Sequence, residues 1–164
     1  MEDAYSRVMA ILLASVLMFL LPMLYISERQ ETMAQSWVLT ETACLVDAVR
    51  NTGVLTEGMF REYEKRLAGL EQLYEIQVTH VAYGLYESEG EIETRQERHY
   101  TEEIKEALLE QGEYCFAMDD FLKIEVSDRN GSFGERLLNS FLAEDLETEK
   151  IIAYYGGTIK YEAY

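Results

Sequence analysis

Few side chains in this sequence are suited to chemistry, and the two histidines are considered first. His80 falls on the apolar side of an alternating run, so we expect a packed or hydrogen-bonded imidazole rather than a metal ligand. His99 precedes Tyr100 at the start of a helical pattern and is expected to be exposed. A zinc site needs three or four His, Cys or carboxylate ligands at a recognisable spacing, which the sequence does not offer. We predict no metal site and no cofactor.

The two cysteines, Cys44 and Cys115, allow two interpretations. If the body of the protein lies outside the cytoplasm, a disulfide would clip a predicted helix to the predicted sheet. In the loop-entropy model such a bridge stabilises the fold by ~3 to 4 kcal/mol. Alternatively, both are buried thiols that pack as small apolar groups. The sequence leaves both interpretations open.

The adjacent carboxylates Asp119 and Asp120 precede a predicted strand. A catalytic pair must face one cleft in unlike environments, whereas adjacent strand residues point to opposite faces. We therefore expect a turn that leads into the strand. The acidic runs over 87–97 and 144–149 lack the spacing of a calcium loop, and no nucleophile elbow, phosphate-binding loop or dinucleotide-binding glycine set is present. The sequence predicts no catalytic residues, and so no enzyme.

The element that organises the chain is the uncharged stretch Val8–Ile26. As a helix it would be roughly 28 Å long, close to the hydrocarbon thickness of a bilayer. A helix of a soluble protein normally has a polar face, which this stretch lacks. The flanks show neither a basic leading segment nor a small-residue cleavage site, so we predict an uncleaved signal anchor that contacts membrane lipid.

Small residues in this stretch suit association with other membrane helices. Ala10, Ala14 and Ser15 would let a neighbouring apolar helix approach closely. Pro22 lacks an amide donor and clashes one turn back, so it is expected to kink the helix.

The helix is predicted to continue beyond the membrane surface. Residues 27–50 contain no Gly or Pro, and apolar residues recur at helical spacing with polar residues between them. Asn51, Thr52 and Gly53 form a typical stop, since glycine readily takes the left-handed conformation that ends helices. We predict one helix of about 45 residues, half in lipid and half packed on the body.

The remaining pattern predicts short helices and strands. The first group is a helix over 57–73 capped by Thr56, a strand from Tyr74 to His80, a turn over 87–90, a second strand over 91–100, and a helix over 102–111 capped by Thr101 and ended by Gly112. The second group is a strand Phe121–Val126, a turn at Asn130 and Gly131, a helix Ser132–Asp145, and strands flanking Gly156 and Gly157 as a hairpin or a bulged strand. We predict an α+β fold: the long helix packed on a small, mainly antiparallel sheet with two or three further helices.

Length and charge predict one domain behind the anchor. We assign residues 1–27 to the tail and membrane anchor and 28–164 to a single α+β domain. The formal charge of the chain is −17, and only Glu2, Asp3 and Arg7 of the charged residues precede the span. A strongly acidic surface repels phosphate backbones, so nucleic acid is not an expected partner.

The order of these elements resembles a known class. A short polar N-terminus, a span, its amphipathic continuation and a small α+β body look like the type IV pilin-like class. More narrowly, five segments are similar to small membrane-anchored proteins of Gram-positive bacteria that accompany Tad-type pilus or secretion components: 46–67, 73–81, 100–109, 118–128 and 151–162. The resemblance implies a pilin-like or TadE-like single-pass protein of the cell membrane with an extracytoplasmic C-terminal domain and no active-site residues. A basic leader ending in Gly and a Glu within the apolar segment, both typical of pilins, are absent from this sequence.

Two classes of function follow. The first is a structural or assembly subunit of a pilus-like machine, with other pilin-like or assembly-platform membrane proteins as partners. The second is a monomeric, membrane-tethered binding module whose acidic surface recognises a cationic ligand.

Overall fold

A computed structural model describes residues 2–70, 73–88, 91–129 and 150–161 of the protein. Its first helix, α1, covers Glu2–Thr52 with Pro22 inside it. Gly53 follows with a φ of 72°, and its amide donates to the Val49 carbonyl oxygen. The predicted continuous helix and its glycine stop are therefore confirmed.

The described residues fall into two compact units. The first contains residues 2–34, and the second contains residues 35–70, 73–88, 91–129 and 150–161. In the first unit, α1 is long and apolar enough to cross a membrane, and none of its most apolar 18-residue window is buried. The Ser15 hydroxyl donates to the Ile11 carbonyl oxygen at 2.8 Å, so this polar group is satisfied within the helix itself. The prediction of an apolar helix of spanning length is confirmed.

The second unit is α+β, as predicted. After α1, its elements are β1 Val54–Thr56, α2 Glu57–Ala68, β2 Tyr74–Ser88, β3 Glu91–Tyr100, α3 Thr101–Gln111, β4 Glu113–Cys115, β5 Phe121–Asp128 and β6 Lys150–Thr158. The main sheet is antiparallel with strand order β3-β2-β5-β6, and β1 pairs with β4 in a small second sheet. The predicted second strand over 91–100 is confirmed as β3. Sequence reasoning missed the short strands β1 and β4.

One face of the main sheet carries the core. Its alternating side chains on β2 and β5 are buried against α1, α2 and α3 in one apolar cluster. The principal members are Val78, Leu122, Ile124 and Val126 from the sheet, Val38, Leu45, Val46 and Val49 from α1, Phe60 and Leu67 from α2, and Ile104 and Leu108 from α3. The amphipathic half of α1 thus supplies a wall of the domain, because its apolar spacing is helical.

Two of the predicted helix ends differ from the structure, and the others among the described residues are confirmed. The Thr56 side chain accepts from the Met59 amide and caps α2, while Gly112 ends α3 with a φ of 81°. The prediction that Thr101 caps α3 is wrong, because Tyr100 occupies the N-cap position without a side-chain bond. The Thr101 hydroxyl oxygen instead accepts a hydrogen bond from the Val78 amide at 2.8 Å, where β3 stops pairing with β2. Helix α2 ends at Ala68, earlier than the predicted 73, because its chain turns at Gly69.

Strand β6 contains Gly156 and Gly157, for which the sequence predicted either a hairpin or a bulged strand. Both lie within one continuous strand, so the hairpin is excluded. The irregularity is elsewhere: Ala153 pairs with Val126 and Ile151 with Ser127, which leaves Ile152 as the extra residue of a bulge. Two predicted elements lie outside the described residues: the turn at Asn130 and Gly131 and the helix Ser132–Asp145. Half of the predicted turn over 87–90, Glu89 and Gly90, also lies outside them. The other half, Glu87 and Ser88, belongs to β2.

Candidate functional site

The most concentrated set of polar and aromatic groups surrounds His80. This residue lies on the core face of β2 and is 4% exposed. It pairs in register with His99 of β3, and the two rings stack with centroids 5.4 Å apart. The Phe116 ring packs edge-on against the His80 ring, with the two ring centroids 4.7 Å apart. The alternation of β2 therefore places an imidazole where an apolar side chain would normally stand.

Both ring nitrogens of His80 are hydrogen-bonded. Nε2 lies 2.9 Å from Asp120 Oδ2, and Nδ1 lies 2.8 Å from the Tyr114 hydroxyl oxygen. Burial lowers the pKa of His80, and the Asp120 carboxylate opposes this only in part. In the neutral ring Nε2–H donates to Asp120, since a carboxylate can only accept, and the Tyr114 hydroxyl donates to Nδ1. The sequence prediction of a packed, hydrogen-bonded imidazole is confirmed.

Asp120 joins three parts of the domain. Its Oδ2 also accepts from the Ala117 amide at 2.9 Å, and its Oδ1 accepts from the Tyr83 amide at 3.1 Å. The preceding residue, Asp119, is exposed and has a φ of 70°, a left-handed conformation that aspartate tolerates better than most residues. This turn directs Asp120 inward and Asp119 outward. The two carboxylates are therefore in unlike environments, but they do not share a cleft.

This geometry suits a structural polar cluster. A carboxylate that orients a histidine is also found in catalytic sites, but there the second nitrogen faces a nucleophile or substrate. The second nitrogen of His80 is occupied by Tyr114, whose own pKa is raised to about 12 by burial, so its hydroxyl stays protonated at neutral pH. Hydrogen bonds among His80, Tyr114 and Asp120 therefore connect β2, β4 and the turn before β5.

His99 lies at the edge of the same cluster. Its side chain is 31% exposed, and its Nδ1 lies 3.0 Å from a Glu103 carboxylate oxygen. It belongs to the end of β3 rather than to the start of a helix, and it is half-buried by its stacking on His80.

Both cysteines are free and exposed. Cys44 lies on α1 and Cys115 ends β4. The structure thus shows neither of the two predicted arrangements, a disulfide or a pair of buried thiols. No group of three or more His, Cys, Asp or Glu side chains within 2–70, 73–88, 91–129 and 150–161 is arranged to hold a metal ion.

An open depression lies between α1 and α2. Its cavity volume is about 150 Å³, and Cys44 and Tyr63 are among its lining residues. Arg66 pairs with Glu41 at 2.8 Å and with Glu62 at 2.7 Å at this depression, so its charges are already matched. The charged side chains that line the depression are thus paired with one another.

The residues predicted to associate with other membrane helices all lie on α1. Ala10, Ala14, Ser15 and Pro22 are exposed along the apolar helix of the first unit. Ala10 and Ala14 are four residues apart and share one face of the helix, with Ser15 beside them. Their placement is compatible with close helix packing, which remains a prediction.

Comparison with models of protein families, with curated proteins and with solved structures finds no significant match. Function must therefore be argued from the chain itself. The His80–Asp120 bond escaped sequence reasoning because its partners are 40 residues apart. The one signal was the alternation of β2, which predicted the burial of His80 but not its partner.

Proposed function

We propose that this protein is a non-enzymatic, membrane-anchored, pilin-like subunit or assembly component of a pilus-like surface or secretion apparatus. The observation that carries the proposal is the composition of α1. Its first part is an apolar, unburied helix, and its last part supplies Val38, Val46 and Val49 to the core of a small antiparallel domain. A single helix that is both anchor and domain wall suits a subunit that presents a rigid domain at a membrane.

The surface of the helix supports partners within the membrane. The side chains over residues 4–19 are exposed, so nothing in the described protein covers them. Lipid or the apolar helices of other subunits would cover this surface, and the small residues Ala10, Ala14 and Ser15 would permit close packing.

The first experiment tests the anchor and the role together. A deletion strain is complemented with the full chain, with a Leu13→Arg, Val16→Arg double variant, or with a Met33→Arg control. Two arginines at the centre of a span oppose insertion by roughly 5 to 7 kcal/mol, whereas the control adds its charge beyond the apolar stretch. We expect the double variant to leave the membrane fraction and to lose surface appendages or secretion, and the control to retain both. Normal appendages and secretion in the deletion strain would refute the proposed role.

The second experiment tests the proposed side of the membrane. Cys115 is exposed in the domain, so a membrane-impermeant maleimide should label it in intact cells. The measurement uses a Cys44→Ser chain so that Cys115 alone reports, with a cytoplasmic thiol protein as the control. Labelling only after the cells are lysed would place the domain inside.

A second candidate is the tethered binding module for a cationic ligand. The exposed acidic side chains of α3, including Glu102, Glu106 and Glu110, favour it. The full chain in detergent should then capture a basic polypeptide such as polylysine, and this capture should weaken as salt rises. Capture that is no stronger than that of a matched acidic control protein would exclude a dedicated site.

A further inference from the structure

In the second unit, the side of α1 that faces away from the core carries an exposed tryptophan. Trp37, the only tryptophan in the sequence, is 51% exposed, and Thr40 and Cys44 are also exposed. At 100° per residue, these three residues lie roughly 150° around the helix from the residues of α1 that join the core. They are termed the outer side of α1. Tryptophan is strongly enriched in protein interfaces, so the outer side is a candidate docking surface.

This part of α1 is almost free of charge. Residues 35–46 contain one charged side chain, Glu41, although charged residues make up 27% of the chain. Glu41 is paired with Arg66 of α2 at 2.8 Å, and its side chain is only 12% exposed. The Thr40 hydroxyl donates to the Ser36 carbonyl oxygen at 2.8 Å and is satisfied within the helix. The outer side therefore presents apolar and neutral groups, which favour neither a basic nor an acidic partner.

The spacing of the outer side suits a second helix as the partner. Its three residues are separated by three and then four positions, which is the a, d, a spacing of a helix in a coiled coil. The positions that would border such a contact are Ser36, Glu41 and Ala43. Two of them are small and the third is already paired with Arg66, so a second helix can approach without meeting an unpaired charge at these positions.

The anchor and the net charge indicate which helix this partner is. Since α1 is one helix over Glu2–Thr52, two copies inserted the same way run parallel and present the same residues at the same distance along it. Trp37 lies about 16 Å along the helix from Ile26, whereas the polar headgroup layer is about 5 to 8 Å thick, so lipid does not cover it. Copies of a chain of net charge −17 repel one another, and the uncharged outer side is where they can touch.

We propose that the outer side of α1 packs in parallel and in register against the outer side of α1 from a second copy of this chain. Trp37 then lies against Trp37 of the second copy, and Cys44 lies against Cys44. The contact is isologous and closes as a pair, and each core lies on the far side of its own helix. This inference rests on the proposed membrane-anchored function, which supplies the second copy. It goes further by assigning the paired surface and a two-chain unit of assembly.

The size of the outer side sets the strength of the contact. Its three residues and the three that border them are about a quarter of the 20 to 30 residues that each partner contributes to a standard interface, so this contact alone is weak. Copies held in one membrane meet at a high effective concentration, which makes a weak contact sufficient there.

The geometry at Cys44 provides a direct readout. Packed helix axes about 8 to 10 Å apart, with Cα atoms at a radius of about 2.3 Å, place facing Cα atoms roughly 4 to 6 Å apart. A disulfide spans this distance, and Cys44 is free and exposed. Oxidation should therefore link two copies through Cys44.

The test is oxidation of the full chain in proteoliposomes by oxygen with copper phenanthroline. A Cys115→Ser chain, in which Cys44 alone reports, should give a linked pair on a non-reducing gel that dithiothreitol separates. Two further chains carry Thr40→Cys or Leu39→Cys in place of both native cysteines, which are changed to serine. Leu39 is 42% exposed but lies roughly 130° around the helix from the outer side. Thr40→Cys should link five- to tenfold faster than Leu39→Cys, and equal rates would overturn the inference.

Charge insertion tests the same contact while Cys44 remains the reporter. Trp37→Glu places two carboxylates face to face in the pair and should slow the Cys44 link about five- to tenfold. Leu39→Glu, the matched control, adds the same charge off the outer side and should leave the link unchanged. Both positions are exposed, so both chains should keep the far-ultraviolet circular dichroism spectrum of the parent. Equal slowing in the two chains would overturn the inference.

A neutral variant guards against misfolding of the charge variant. Trp37→Ser removes the ring without adding charge and should also slow the Cys44 link. A mixture of chains that carry only Cys44 with mass-tagged chains that carry only Thr40→Cys tests the register. Links between unlike chains that form faster than those between like chains would show a staggered contact and overturn the inference.

Failure of this pairing is distinguishable from failure of the assembly function. Linking no faster on the outer side than at Leu39→Cys, together with loss of appendages in the deletion strain, would refute the paired surface and leave the assembly function standing. Normal appendages and secretion in the deletion strain would instead refute the assembly function, whatever the links show.

Discussion

Replacing Asp120 with alanine removes the acceptor that holds three donors in the domain. The carboxylate accepts from His80 Nε2–H and from the amides of Ala117 and Tyr83, at 2.9, 2.9 and 3.1 Å. The Asp120 side chain is only 3% exposed, so water cannot readily take its place. Leaving a buried donor without a partner costs about 1 to 3 kcal/mol. The two amides are partly buried, so each should cost near the lower end of that range. Together with the His80 donor, the expected loss in the free energy of unfolding is about 3 to 5 kcal/mol.

The assay is urea unfolding of the full chain in a nonionic detergent, followed by near-ultraviolet circular dichroism of its tyrosines. This signal reports side-chain packing in the domain, whereas a far-ultraviolet signal would be dominated by α1. The matched control is Asp119→Asn, which alters the neighbouring exposed carboxylate and keeps a residue that tolerates a φ of 70°. The control should change the free energy of unfolding by no more than about 0.5 kcal/mol.

Asp120→Asn gives a graded version of the same test. Asparagine retains one acceptor, but its NH₂ group would confront either the amides or the His80 ring, so the loss should lie between those of the control and of alanine. A loss below about 1 kcal/mol for Asp120→Ala would refute the argument, because it would mean that water satisfies these donors at little cost.

Three further predictions concern pH, packing and the thiols. Burial lowers the pKa of His80 below its ordinary 6.5, so on acidification the unfolded chain binds a proton before the folded chain does. The free energy of unfolding should therefore fall as pH drops below about 6.5, by up to ~1.4 kcal/mol per pH unit. His80→Gln should lose this part of the pH dependence in urea titrations. Gly156→Ala should destabilise the fold by about 1 to 3 kcal/mol, because the new Cβ would lie 2.8 Å from a backbone oxygen of β5. Gly58→Ala on α2 should instead stabilise it by about 0.5 to 1 kcal/mol in the same unfolding assay, because its Cβ would make only an ordinary contact, 3.9 Å from Thr56 Oγ1. Alkylation of the folded, unreduced protein should modify both Cys44 and Cys115 by mass spectrometry, and a chain resistant to alkylation until reduced would contradict their free state.

The confirmed predictions rest on short-range signals. The helical spacing over 27–50, the glycine after Thr52 and the alternation from Tyr74 to His80 all depend on neighbours within a few residues. Such patterns identify elements because backbone geometry repeats at 3.6 or 2 residues. The wrong prediction at Thr101 illustrates the limit, since its hydroxyl had a competing partner on β2 that local sequence does not show.

The two cysteines and the pair Asp119–Asp120 also depend on contacts between residues that are far apart in the sequence. Whether Cys44 and Cys115 approach each other depends on how α1 and β4 pack, and no spacing along the chain encodes it. The predicted turn at Asp119 is confirmed. The hydrogen bond of the buried Asp120 to His80 could not be predicted, because it depends on how β2 and this turn pack.

The sequence by itself determined that this protein has an apolar helix of spanning length, that the helix continues into an amphipathic half, and that an acidic α+β domain follows. These properties arise from composition and periodicity, which act locally. Only the tertiary structure decided that His80 and Asp120 meet, that the Thr101 hydroxyl binds the Val78 amide, and that β1 pairs with β4. Those groupings depend on strand order and register, which are set by long-range burial of the core rather than by any neighbouring residues.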